Sequence, residues 1–153
     1  MDEKKLEKYK KAGRIAGKAR EFGRDLIEEG VSYKKVVEET ESKIKELGGE
    51  IAFPTNLSIN EVGAHDTASV NEDRKIDSGL VKIDVGVHVD GFIGDTATTV
   101  SVNSEKEDMI KASRKALNEA LGMMKPGGKV KEISSRIEEV IESFGYKPVK
   151  NLT

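Results

Sequence analysis

Two aspartates stand inside the most strand-like segment of the chain, KIDVGVHVDGFIGDTATTV at residues 82–100. Asp84 and Asp95 are separated by ten residues. Carboxylates are uncommon inside strands, because burying a charge without a partner is costly. If the two carboxylates converge, a hard divalent cation would relieve their repulsion, since such ions prefer oxygen ligands. The alternative is a solvated sheet face that carries two ordinary aspartates.

The chain has two histidines, the other side chains suited to proton chemistry near neutral pH. His65 follows the segment AFPTNLSINEVGA and falls in a predicted loop, where functional residues are common. His88 lies on the face of the two aspartates but near a predicted turn. From the residues alone, a surface or structural role remains the alternative for both histidines.

A β-hairpin must position the two aspartates. The runs 80–89 and 92–102 alternate between apolar and polar residues, and Asp90-Gly91 lies between them. This pair is typical of a type I′ turn, which requires positive φ at both central residues. The pattern therefore predicts two antiparallel strands joined by a tight turn.

The register of this hairpin decides whether the aspartates meet. With the turn at residues 90–91, Asp84 faces Ala97, and Asp95 is two residues from Ala97. Because side chains alternate with a period of two, Asp84 and Asp95 share one face as diagonal neighbours. Gly86 lies on the same face and is expected to leave space above the sheet. A bulge between the aspartates would place them on opposite faces.

Four helices are expected around the hairpin, so the predicted fold class is α+β. Residues 51–60 read as a mixture of strand and loop in which Pro54 excludes a central strand, and residues 66–79 are polar and rich in turns. Apolar residues at helical spacing predict four helices, and their apolar positions span Leu6–Ile27, Val36–Leu47, Met109–Met124 and Ile133–Phe144. Ser32 is the expected cap of the second helix. The expected stops of the four helices are Gly30, Gly48, the residues before Pro126, and Gly145.

Composition narrows the function classes. The 153 residues suffice for one domain and include 36% apolar and 35% charged residues, with a net charge of −2 and no cysteine. Disulfides, thiolate metal sites and cysteine nucleophiles are therefore excluded. The sequence shows neither a membrane span nor a signal peptide, so we expect a cytoplasmic protein without a membrane partner. The basic first twenty residues read as a solvated helix face, with a ribosome as the alternative partner.

AFPTNLSINEVGAHDT (52–67) followed by KIDVGVHVDGFIGDTATTV (82–100) closely resembles the type II methionine aminopeptidases, especially their archaeal form, in the M24 pita-bread family. The resemblance extends over essentially the whole chain. It implies a pita-bread fold, in which two pseudo-symmetric αβ halves close over two divalent metal ions. It also implies removal of the N-terminal methionine from nascent proteins.

The resemblance assigns roles to four residues and none to His88, which matches no ligand and which we interpret as a bystander. Asp84 would chelate one metal and Asp95 would bridge both, with Co, Mn, Fe or Zn as the ion. His65 matches the family's substrate-binding and catalytic histidine, and Phe53 matches an aromatic wall of the methionine pocket, although a plain core role is the alternative for Phe53. Asp66 stands where the family usually has tyrosine, which puts substrate contacts in residues 66–79 in doubt.

The resemblance further implies that residues 1–153 are the N-terminal half of a two-half domain. ESFGYKPVKNLT, at residues 142–153, echoes KELGGEIAFPTNLS, at residues 45–58. The family's three remaining ligands, a histidine and two glutamates, lie in its second half. We therefore expect this chain alone to be inactive and to need a C-terminal half-domain as partner. The alternatives are a non-catalytic pita-bread protein bound to ribosome or RNA, and an Xaa-Pro aminopeptidase or prolidase.

Overall fold

A computed structural model describes residues 2–149, and the predicted echo at Asn151-Leu152-Thr153 lies outside them. The described residues divide into two units, residues 2–104 and residues 105–149. Their helices and strands are, in chain order, α1 (Glu3–Asp25), α2 (Tyr33–Glu46), β1 (Glu50–Ile59), β2 (Gly79–Val89), β3 (Phe92–Val102), α3 (Glu107–Met123) and α4 (Val130–Ser143).

The first unit contains an antiparallel sheet with the strand order β1-β2-β3. The predicted hairpin is confirmed, because Asp84 pairs with Ala97 and the β2–β3 register continues without a bulge. Asp90 and Gly91 have φ values of +52° and +81°, as the predicted type I′ turn requires. The two aspartates therefore lie on one face of the sheet.

Helices α1 and α2 pack with the other face of the sheet to form the core of this unit. Four aliphatic side chains of β2 are buried completely, and each contributes about 1.5–3 kcal/mol when removed from water. Gly94 on β3 permits a close approach of α1, because a Cβ there would lie 2.6 Å from the carbonyl carbon of Ala12. The four buried aliphatic residues of β2 are Val81, Ile83, Val85 and Val87.

Helix α1 ends at Asp25, five residues before the predicted stop at Gly30. The backbone N–H of Leu26 donates to Gly23 at 3.2 Å, which tightens the last turn and closes the helix. The chain then turns inward, so that Ile27 joins the core and the Gly30 N–H donates to the Ile76 carbonyl at 2.7 Å. These distant contacts, which helical periodicity does not reveal, end the helix early.

The predicted cap of α2 and the predicted glycine stops of α2 and α4 are confirmed. The Ser32 side chain caps α2 by accepting from the Lys35 N–H at 3.3 Å. Gly48 follows α2 with a φ of +78°, and Gly145 follows α4 with a φ of +81°. Glycine reaches such angles without steric cost, which explains why both helices end there.

Strand β1 is irregular, and Pro54 lies within it at an edge of the sheet, as the sequence predicted. Its register against β2 shifts on both sides of Phe53. A neighbouring helix and loop satisfy the displaced backbone, because Glu41 Oε1 accepts from the Thr55 N–H at 2.9 Å and Thr67 Oγ1 donates to the Thr55 carbonyl at 2.7 Å. The irregularity is thus held in place by tertiary contacts.

The second unit contains α3 and α4, which contact each other. Arg136 on α4 lies 3.3 Å from Glu119 on α3, and Lys115 lies over the Phe144 ring. The buried side chains are mainly small, namely Ala112, Ala116, Ala120 and Val140. In the described part of the chain, no helix is long and apolar enough to cross a membrane.

Candidate metal centre

The residues singled out by the sequence meet at one cavity in the first unit. Its volume is about 360 Å³, and its lining includes the Phe53 ring, His65 and both aspartates. The bystander interpretation of His88 is consistent with its position, since it contacts Glu50 at 3.7 Å and the Gly91 N–H instead. The six lining residues are Phe53, Pro54, Asn56, His65, Asp84 and Asp95.

Asp84 is held on β2 in a half-buried position. Its Oδ1 atom is buried and accepts no hydrogen bond from any residue of the described chain. Burial raises the pKa of this carboxyl above its ordinary value, and the neighbouring Asp95 raises the pKa further, while Lys82 and His65 act in the opposite direction. A buried carboxylate oxygen without a partner is costly, which makes it a candidate ligand for a cation.

Asp95 is on the exposed side of the same cavity. It pairs with Gly86 across the hairpin, two pairs along the ladder from Asp84 and Ala97. The two carboxylates therefore belong to one face at different depths, with Asp84 half-buried and Asp95 exposed. A divalent cation between them would offset both their repulsion and the desolvation of Asp84, so the two residues fit such an ion.

His65 reaches the cavity from the loop after β1. Its φ of +60° lies in the left-handed region, which few residues other than glycine adopt. Two residues before it, the Gly63 carbonyl accepts a hydrogen bond from Lys82 of β2. Lys82 and Asp84 lie on the same face of β2. This strand therefore positions both the Asp84 carboxylate and the loop that carries His65.

Phe53 occupies the space that was expected to be open above Gly86. A Cβ built on Gly86 would overlap the Phe53 ring, with its Cζ atom at 2.6 Å. The expectation of free space is therefore wrong, because the shifted register of β1 brings the ring over the glycine. Gly86 has no side chain so that an aromatic wall can lie directly on the sheet beside the two aspartates.

Sequence reasoning missed two residues of this region. Asn56 pairs with Asp84 across the β1–β2 ladder and lines the cavity. Lys82, two positions before Asp84, shares its face of the sheet and carries a compensating charge. The period of two along β2 could have revealed Lys82, whereas the shifts in β1 make the partner of Asn56 unreadable from spacing.

The two aspartates are an incomplete ligand set. Among residues 2–149, no group of three or more His, Cys, Asp or Glu side chains is arranged to hold a metal ion. Sites for hard cations use many oxygen ligands, often six or more. The arrangement can therefore contribute part of a metal centre and a histidine beside it.

Comparison with known proteins places this geometry in a family. Residues 7–153 match the model of metallopeptidase family M24. The methionine aminopeptidase of Methanocaldococcus jannaschii is 46% identical over the whole chain, which spans 52% of that relative. The methionine aminopeptidase of Methanothermus fervidus is 42% identical over 97% of the chain and 86% of that relative. The chain thus spans about half the length of the first of these curated relatives.

Solved structures give the same result for the fold. A methionine aminopeptidase from Thermotoga maritima superimposes with a TM-score of 0.88 at 28% identity, covering 96% of this chain and 63% of its own. A prolidase from Pyrococcus furiosus superimposes with a TM-score of 0.83 at 30% identity, covering 95% of this chain and 44% of its own. The fold is therefore shared by peptidases of different specificity.

Proposed function

Because this chain belongs to metallopeptidase family M24, we propose that it provides part of a dinuclear metal centre that removes the N-terminal methionine from nascent proteins. The α+β pita-bread fold expected from the sequence is confirmed by its solved relatives. Methionine is the favoured substrate because the curated relatives at 40–46% identity over the whole chain are methionine aminopeptidases.

The cavity that joins His65, Asp84 and Asp95 carries the proposal. Asp84, through its unpartnered oxygen, and the exposed Asp95 carboxylate would hold the metal ions. When bound, such a metal pair supplies a nucleophilic hydroxide at neutral pH and polarises the scissile carbonyl. The identity of the ions, Co, Mn, Fe or Zn, follows from supply as much as from these ligands.

The chain's other residues would position the peptide. The Phe53 ring forms an apolar wall beside the aspartates, which suits the unbranched and polarisable methionine side chain. His65 lies at the same cavity, where an imidazole N–H can donate to the peptide or to the oxyanion that develops during hydrolysis. Each group thus has a separate task of binding, orientation or charge stabilisation.

A partner would complete the centre. The family resemblance assigns a histidine and two glutamates to a second half of the domain, one glutamate taking the proton of the attacking water. We propose that a C-terminal half-domain supplies these groups, either as a continuation of this chain or as a separate polypeptide. This division accounts for the two-carboxylate set in the described residues.

The test combines this chain with a C-terminal half that carries the three further ligands. We expect Met-Ala peptides to be cleaved in the presence of Mn²⁺ or Co²⁺ by the mixture and not by either half. Asp84→Asn and His65→Ala should each lower activity by about 100-fold or more, whereas His88→Ala should retain it. A mixture that forms a complex, binds metal and yet leaves Met-Ala peptides intact would refute the proposal.

Cleavage of Xaa-Pro peptides is the second candidate function. Two Pyrococcus prolidases superimpose on this chain, each with a TM-score of 0.83 at 30% identity. This similarity supports the second candidate. The same mixture should be offered Met-Ala and Xaa-Pro substrates at equal concentration. A higher kcat/KM for Xaa-Pro would establish the second candidate in place of the first.

A further inference from the structure

The segment that follows His65 is tied back on itself by a two-pronged ion pair. Asp66 Oδ2 accepts from Arg74 Nη1 at 2.9 Å, and Asp66 Oδ1 accepts from Arg74 Nη2 at 3.2 Å. Such a paired arrangement fixes the relative orientation of the two groups, which a single contact to lysine does not. The residue immediately after the histidine is therefore anchored by its side chain.

The Arg74 guanidinium is itself held on two further sides. It lies 4.1 Å from the centre of the ring of Tyr33, which is fully buried at the start of α2. Glu72 accepts from Arg74 Nη2 at 2.7 Å and from the Arg74 backbone N–H at 3.0 Å. The Arg74 carbonyl accepts from the Tyr33 N–H at 3.0 Å. Arg74 thus connects the loop to the core of the first unit.

The backbone around His65 is anchored to the sheet as well. The Leu57 N–H of β1 donates to the Asp66 carbonyl at 2.8 Å, and Lys82 of β2 donates to the Gly63 carbonyl. A left-handed conformation costs a residue with a side chain about 1–2 kcal/mol, so His65 keeps its φ of +60° only because its neighbours are held. Asp66 is the neighbour held by both backbone and side chain.

We propose that Arg74 is a positioning residue for His65. Arg74 packs on the Tyr33 ring and pairs with Asp66, and through Asp66 it sets the direction in which the imidazole reaches the cavity. The inference rests on the proposed function for its catalytic consequence, because His65 matters there through its contact with the peptide. The geometric part concerns this chain alone.

The charges of Arg74, Asp66 and Glu72 favour ion pairs that persist at all assay pH values. Hydrogen bonds from Arg74 lower the pKa of Glu72 to about 2 and also lower the pKa of Asp66 below its ordinary value. Both carboxylates therefore stay ionised throughout the range in which a peptidase would be assayed. The ion pairs hold the loop without any event such as protonation or ligand binding.

The geometric part is tested by the ring signals of the two histidines in NMR spectra of the metal-free chain. Arg74→Gln should shift and broaden the His65 signals and leave those of His88 in place. Arg24→Gln is the matched control, because Arg24 also pairs with two carboxylates, Glu21 and Asp25, but on the surface of α1. It should move neither histidine.

A second variant covers the case in which Arg74→Gln disturbs the fold. Asp66→Asn removes one charge and no packed atoms, and it should shift the His65 signals alone. Unchanged His65 signals in both variants would overturn the proposal, as would equal shifts of His65 and His88 in Asp66→Asn. Combining both substitutions should add little to either one, because each breaks the same contact.

The catalytic part is tested in the chain completed by its C-terminal half. Arg74→Gln should lower kcat/KM by about 10- to 100-fold, leave Mn²⁺ affinity unchanged, and be partly rescued by Arg74→Lys. A parallel loss of Mn²⁺ affinity would indicate general disorder and overturn the positioning role. If the parent mixture itself lacks peptidase activity, the proposed function fails, and the histidine signals still decide the role of Arg74.

Discussion

The ring of Phe53 on β1 lies on the backbone of Gly86 on β2, in the place where any other residue would carry its Cβ. The contact depends on the shifted register of β1, which pairs Phe53 with Gly86. It joins the proposed methionine pocket to the strand that carries Asp84. Glycine at position 86 is thereby explained by packing and not by a turn, since its φ is not among the positive values.

This contact predicts a reciprocal effect of two substitutions. Gly86→Ala should destabilise the chain by about 1–3 kcal/mol, because the new methyl group displaces the ring. In a Phe53→Ala background the same change should cost almost nothing, since the space is then free. Urea unfolding of the four variants measures the coupling. Gly17→Ala, where a Cβ meets nothing within 4 Å, is the control and should not destabilise.

Additive effects of Gly86→Ala and Phe53→Ala would contradict the overlap of ring and Cβ. In the completed enzyme, both single variants should reduce the preference for methionine over smaller N-terminal residues. The physical reason is the same in the two cases, because one variant moves the pocket wall and the other removes it. Kinetics with Met-Ala and Ala-Ala peptides compare the two.

Asp84→Asn should stabilise the metal-free chain at pH 7 by about 1 kcal/mol. The raised pKa of Asp84 means that the folded chain binds a proton more tightly than the unfolded chain, so stability is lost as the pH rises from about 4 through that raised pKa. At pH 3 the carboxyl is protonated in both states, and the variant should match the parent. Urea unfolding at the two pH values measures the difference.

Asp95→Asn provides the comparison for that experiment. The exposed Asp95 carboxylate is solvated, so its removal should give a smaller gain at pH 7. A loss of stability for Asp84→Asn at pH 7 would show that the carboxylate is satisfied in the metal-free chain. Saturating Mn²⁺ in the completed enzyme should reverse the order, because the parent then gains the binding energy of the ion.

Glu41 should be the most sensitive carboxylate of α2. Glu41→Ala leaves the Thr55 N–H without its acceptor in the irregular part of β1, which should cost about 1–3 kcal/mol. Glu38→Ala is the control, because Glu38 is exposed and lies 3.6 Å from Lys34 in a surface pair. Thermal unfolding compares the variants. Equal effects would mean that the Thr55 hydrogen bond does not stabilise β1.

Metal affinity should depend on the completing half. The chain alone is expected to bind Mn²⁺ with a Kd on the order of 1 mM, as sites with few carboxylate ligands do. Asp84→Asn should abolish that binding, whereas Asp90→Asn, which alters an exposed partner of Lys8, should not. Calorimetric titration with and without the C-terminal half measures both. Tight binding by the chain alone would contradict the incomplete ligand set.

Local patterns were sufficient to predict part of the site. Asp90-Gly91 defines the turn and alternation defines the faces, so the shared face of Asp84 and Asp95 follows from the sequence alone. The ends of α2 and α4 also follow, because Ser32, Gly48 and Gly145 act on their own neighbours. These features depend on interactions between residues that are close in the chain or directly paired by one tight turn.

The sequence alone therefore determined the hairpin, its two aspartates and, through the resemblance, the family. Only the tertiary structure decided that Phe53 covers Gly86, that α1 ends at Asp25, and that Arg74 holds the residue after His65. Each of these outcomes depends on contacts between segments that are distant in the chain. Such contacts form only when the core brings the segments together, and neither periodicity nor turn chemistry records which distant groups will meet.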